Sequence, residues 1–111
     1  MVKTQTVRQS VNKKKVIGFE VSTSSSSAVS LVSKSDVASV GASTIRELWV
    51  IVTGDKAYIG LDKTATTTPG EDNIPVPADT VLHMENIAFE YITGIRSGAT
   101  DVTFTGWVVV N

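Results

Sequence analysis

Asp101-Val102-Thr103-Phe104-Thr105-Gly106-Trp107-Val108-Val109-Val110 is the stretch on which the fold reading turns. Val102, Phe104, Gly106, Val108 and Val110 fall on one side. Thr103, Thr105, Trp107 and Val109 fall on the other. A period of two sustained over so many residues is the signature of a β-strand with one buried face. The second face is unusual, because Trp107 and Val109 would be apolar and exposed in a lone monomer. They are therefore candidate subunit-interface residues.

The same pattern recurs outward from this strand. Val16 to Val21 alternates, with Ile17, Phe19 and Val21 on one side. Ala28 to Val32 is a short strand with Val29 and Leu31 on one face. Leu48-Trp49-Val50-Ile51-Val52 is continuous and largely β-branched, which predicts a central strand buried on both faces. Thr53-Gly54-Asp55-Lys56 follows as a tight turn. Lys56 to Leu61 then puts Ala57, Ile59 and Leu61 on one face, so the two runs predict a β-hairpin. Thr80 to Glu85 alternates again, and Phe89 to Ile95 reads as a further strand ended by Ser97-Gly98. Ile74-Pro75-Val76-Pro77 lacks ladder donors at its prolines and is expected to run extended along an edge.

Between these runs lie polar connections. Ser22 to Ser27 has no apolar residue. Ser33 to Thr44 has room for one helical turn, although Gly41 and the serines argue for a plain connection. Thr44-x-x-Glu47 matches a helix capping box, but the β-branched run after it argues against a helix. Asp62 to Asn73 is a long loop whose Pro69-Gly70 and Asp72-Asn73 supply turn chemistry. Seven or eight short strands at a spacing of about 8–12 residues predict an all-β protein. The expected form is a single antiparallel β-sandwich, jelly-roll-like, over residues 16–111.

Composition agrees. The 111 residues include 25 Val and Ile but only 4 Leu, a balance that suits pleated strands rather than helical bundles. There is no cysteine and one histidine, which excludes disulfides, zinc–thiolate sites and paired-imidazole sites. His83 shares a strand face with Val81 and Glu85; a metal role would need carboxylates from elsewhere, so it reads as a structural or surface histidine. Asp55, Asp62, Asp72 and Asp79 fall near turns without calcium-loop spacing and read as turn caps. Trp49, Trp107, Phe104, Tyr58 and Tyr91 are spread over strands rather than interleaved with basic residues, which favours packing over nucleic-acid stacking. No catalytic residue, cofactor site or metal site is expected, and the chain does not read as an enzyme.

Charge is unevenly placed. Formal net charge is −1. Lys3, Arg8, Lys13, Lys14 and Lys15 give residues 1–15 a charge of +5, leaving −6 on residues 16–111. That first segment is also poor in large apolar groups, so it predicts a flexible basic N-terminal arm. Its five cations are candidate contacts to an acidic partner surface. Neither a nucleic-acid nor a membrane partner is expected: the body is acidic, no apolar run approaches a bilayer span, and the start lacks the apolar core of a secretory signal. A chain of this size buries only roughly 60–68% of its unfolded surface, so self-association is expected to add stability.

From Ala28 onward the order of features resembles small β-sandwich virion structural proteins of tailed bacteriophages, of the capsid decoration (cement) or head-fibre type. The resemblance rests on Arg46-Glu47-Leu48-Trp49-Val50-Ile51, then Ala57-Tyr58-Ile59-Gly60 and Thr66-Thr67-Thr68. It continues through Ile74-Pro75-Val76-Pro77-Ala78, Thr93-Gly94-Ile95 and Gly98-Ala99-Thr100-Asp101-Val102-Thr103-Phe104. It covers about three quarters of the chain and departs from the family pattern at Val52-Thr53 and in residues 1–27. It implies a protein made in the host bacterial cytoplasm and mounted on the capsid surface of the virion. The implied partner is the major capsid protein, bound by a homo-oligomer, with a trimer favoured. The alternative is a receptor- or carbohydrate-binding module of a fibre or tail, using residues such as Tyr58, Asp62 and Asp72.

Overall fold

A computed structural model describes residues 14–111. The elements run β1 (Lys15–Ser22), β2 (Val29–Val32), α1 (Lys34–Ser39), β3 (Ile45–Thr53), β4 (Ala57–Leu61), β5 (Asn73–Val76), β6 (Val81–Phe89), β7 (Ile92–Arg96) and β8 (Thr103–Val110). The eight strands form two four-stranded sheets, in the orders β1-β8-β3-β6 and β2-β7-β4-β5, and every pairing is antiparallel. Only β4 and β5 are consecutive and share a sheet; each other connection crosses to the opposite layer. This is jelly-roll order, as expected.

Alternation builds the core. Phe104, Val108 and Val110 of β8 are fully buried, with Leu48, Val50 and Val52 of β3 beside them and Ile59 and Ile92 contributed by the other sheet. Val102, just ahead of β8, joins them. On β1, Ile17, Phe19 and Val21 close the same cluster from the sheet edge. Large-to-small changes at such positions cost both transfer free energy and a residual cavity.

The expected hairpin of residues 48–61 does not form. β3 pairs with β6 and β8, whereas β4 pairs with β5 and β7. The short Gly54-Asp55-Lys56 link is an arch between layers, not a turn within one. Gly54 makes this possible: its φ is 108°, and a Cβ there would lie 2.7 Å from the Asp101 carbonyl oxygen. The runs before and after it both carry buried residues, Val52 and Ala57, and a sandwich can bury them by facing them across the core.

Three further differences have local causes. Ser33 to Thr44 contains α1, capped by a reciprocal box in which Ser33 Oγ accepts from the Asp36 N–H and Asp36 Oδ2 accepts from the Ser33 N–H. Val37 anchors that turn in the core. The run Phe89 to Ile95 is split, because Asp62 Oδ1 accepts from the N–H groups of Glu90 (2.6 Å) and Tyr91 (3.2 Å) where the chain changes sheets. β3 is central, but its outward residues Trp49 and Ile51 are only half-buried. β5 lies at its sheet edge with Pro75 exposed, as a residue without a ladder donor requires.

Inside the long loop, Asn73 is 1% exposed and serves as the internal hub. Its Nδ2 donates to the carbonyls of Thr66 (2.8 Å) and Thr68 (2.6 Å), and its Oδ1 accepts from the Thr66 N–H. One side chain thereby satisfies three backbone groups of the loop.

Candidate functional site

The outer face of the β1-β8-β3-β6 sheet carries the unusual chemistry. Register aligns its outward residues in rows that cross the sheet. One row joins Val16, Val109, Glu47 and Glu85. The next joins Gly18, Trp107, Trp49 and His83. A third joins Glu20, Thr105, Ile51 and Val81. The middle of the face is therefore apolar, with Glu47, His83 and Glu85 gathered on its β6 side.

Trp107 is 44% exposed, Val81 55% and Val16 64%, all large for apolar groups. Val109 is half-buried. Trp49, Ile51, Val81, Thr105 and Trp107 line a depression of about 270 Å³. Gly106 lets β8 approach β3 closely beside it: a Cβ there would come within 1.9 Å of the Trp49 carbonyl oxygen, so any larger residue would push β8 away from β3. Trp49 is the centre of an aromatic row. Its ring lies 3.6 Å from His83, at 16°, and 5.4 Å from Trp107, at 21°. Such aromatic pairs add favourable energy beyond area burial.

Polar contacts then fix the β6 side. Trp49 Nε1 donates to Glu47 Oε2 at 2.8 Å, and His83 Nε2 stands 2.8 Å from the same oxygen. Glu85 Oε2 is 3.9 Å from that nitrogen. The hydrogen bond from His83, then that from Trp49, holds the Glu47 carboxyl below its ordinary value of 4.5. Next to this cluster a mixed-charge groove is lined by Lys14, Arg46, Glu47, Glu85 and Asn111. Arg46 Nε donates across it to Asn111 Oδ1 at 3.0 Å.

Among the residues singled out from sequence, Trp107 and Val109 do come together on one outward face. Of the basic set, Lys3, Arg8 and Lys13 lie outside the described residues. Lys14 borders the groove, and Lys15 is the first residue of β1, opposite Val110. Tyr58, offered as a ligand-facing aromatic, is instead buried beneath Ala65 and Ile95, with Lys56 Nζ 5.5 Å from its ring. Asp62 caps the Glu90–Tyr91 turn, while Asp72 is exposed. His83 does find a carboxylate from elsewhere, Glu47 of the neighbouring strand. The sequence carried no signal for that contact, because it depends on the pairing of β3 with β6.

No protein-family model matches the chain, and no curated protein matches it. Among solved structures, the chain is similar to one from Bacillus endospore appendages, described as a novel family of disulfide-linked pili. The likeness covers 88% of this chain and 89% of that one, at 13% identity and a TM-score of 0.47. At that level it carries no argument about function. Among the described residues, no helix is long and apolar enough to cross a membrane.

Proposed function

We propose that this protein is a non-enzymatic virion structural protein of a tailed bacteriophage, a capsid decoration protein that binds and stabilises the assembled head. The setting comes from the sequence resemblance. The observation that carries a docking role is the apolar strip Val16, Val109, Trp107, Trp49, Ile51 and Val81 on one sheet face. Isolated exposed apolar residues are ordinary, but a contiguous set rimmed by charge marks an interaction surface. Aromatic residues at its centre suit an interface core. In this reading the strip is the contact between copies of the chain in a homo-oligomer, with a trimer favoured. The basic segment Lys3, Arg8, Lys13, Lys14 and Lys15 meets the acidic capsid exterior, raising the encounter rate by electrostatic attraction.

Co-sedimentation with empty capsids tests this proposal. The full chain is expected to pellet with capsids at saturating stoichiometry, and a chain lacking residues 1–13, which keeps β1 whole, to bind more weakly with a shallower salt dependence. Absence of capsid binding by the full chain overturns it.

A carbohydrate-binding role in a fibre or tail is the second reading. It is favoured by Trp107, an aromatic ring 44% exposed at the centre of the face and able to stack on a sugar. Retention on a glycan array, with no capsid binding, would select it.

A further inference from the structure

Three ligand-bearing side chains from two neighbouring strands converge on the outer face of the sheet. One carboxylate oxygen each from Glu47 and Glu85, and His83 Nε2, all lie within 4.8 Å of one another. Ligand atoms bound at about 2.0–2.2 Å, at tetrahedral or octahedral angles, stand roughly 3.0–3.4 Å apart. The observed separations from Nε2, 2.8 Å to Glu47 and 3.9 Å to Glu85, bracket that span. Glu85, whose side chain is 66% exposed, has the freedom to move toward the other two ligand atoms.

Two independent features point the same way. Glu47 and Glu85 are directly opposed in register, and like charges so placed destabilise a sheet unless a cation lies between them. The imidazole and the Glu47 carboxylate are also oriented in advance. The ring is stacked on Trp49, and the Trp49 Nε1–H holds the carboxylate, which is the role outer partners play around bound metals.

We propose that Glu47, His83 and Glu85 form a binding site for a divalent first-row transition ion of the zinc type. An imidazole ligand disfavours magnesium and calcium, which prefer all-oxygen sets. Three protein ligands leave at least one coordination position to water or to a group of a partner. To bond Glu47 in the absence of metal, Nε2 must carry a proton; the ion replaces it, and the proton passes to solvent. This site stands apart from the capsid-binding reading and neither depends on the other.

Calorimetric titration of the metal-free full chain with zinc, in two buffers of different ionisation enthalpy, tests the proposal. One ion per chain with proton release is expected. Glu85→Gln should weaken binding by about tenfold or more, since even outer-partner losses cost about that much. His83→Gln should abolish it. A second readout is copper quenching of Trp49 fluorescence in a Trp107→Phe background, which should saturate and should be lost with His83→Gln. Glu85→Gln is the deciding variant if His83→Gln is poorly folded, because the Glu85 side chain is 66% exposed. Absence of saturable zinc uptake, or equal uptake by wild type and Glu85→Gln, overturns the proposal.

Discussion

Trp49 and Trp107 face each other directly across β3 and β8, with ring centroids 5.4 Å apart and planes 21° from parallel. Both rings sit on the outward face, so their contact does not belong to the core. Trp107→Ala should therefore leave the fold intact, lowering unfolding free energy by about 1 kcal/mol, the size of an aromatic cross-strand pair. Self-association should be lost in the same variant. Denaturant unfolding and light scattering measure the two effects separately. A variant that still oligomerises would place the subunit contact off this face.

Glu47 predicts the shape of the acid limb. Its carboxyl is held below the ordinary 4.5 chiefly by His83 and then by Trp49. A carboxyl lowered in the folded state stabilises above its unfolded value and loses that contribution as pH falls through the folded value. Stability should therefore decline below about pH 4.5. Glu47→Gln should flatten this part of the profile, as read by thermal unfolding across a pH series.

Asn73 should be the most sensitive polar position. Removing its side chain in Asn73→Ala leaves the Thr66 and Thr68 carbonyls and the Thr66 N–H without their partner. These groups are only part-buried and water recovers some of the loss, so a cost of about 1 kcal/mol is expected. Limited proteolysis should then cut within residues 62–72, where the wild type resists.

Gly106→Ala tests the close approach of β8 to β3. Its new methyl would meet the Trp49 carbonyl oxygen at 1.9 Å, a backbone atom that cannot rotate away. A loss of about 3 kcal/mol is expected, the upper part of the usual range for overpacking. Chemical denaturation reads it, and near-wild-type stability would mean that β8 can shift without cost.

Much of the fold was legible because alternation is a local property. Parity along one strand separates Phe104, Val108 and Val110 from Thr105, Trp107 and Val109 whatever the strand pairs with. The edge position of β5 followed equally from Pro75 and the adjoining Pro77, which lack donors. Partner choice is not local. A three-residue link after Thr53 suits a hairpin as well as an arch, and only the packing of Val52 and Ala57 across a common core selected the arch. The candidate site depends on that choice. His83 and Glu47 are 36 positions apart and meet because β3 pairs with β6, while Trp107 reaches the same face only because β3 also pairs with β8. In alternating strands such as β1 and β8 the sequence by itself thus determined which side chains point inward and which point outward, whereas in the continuous run of β3 it did not. The tertiary structure alone decided which outward side chains became neighbours, because register between distant strands is set by burial of the whole core.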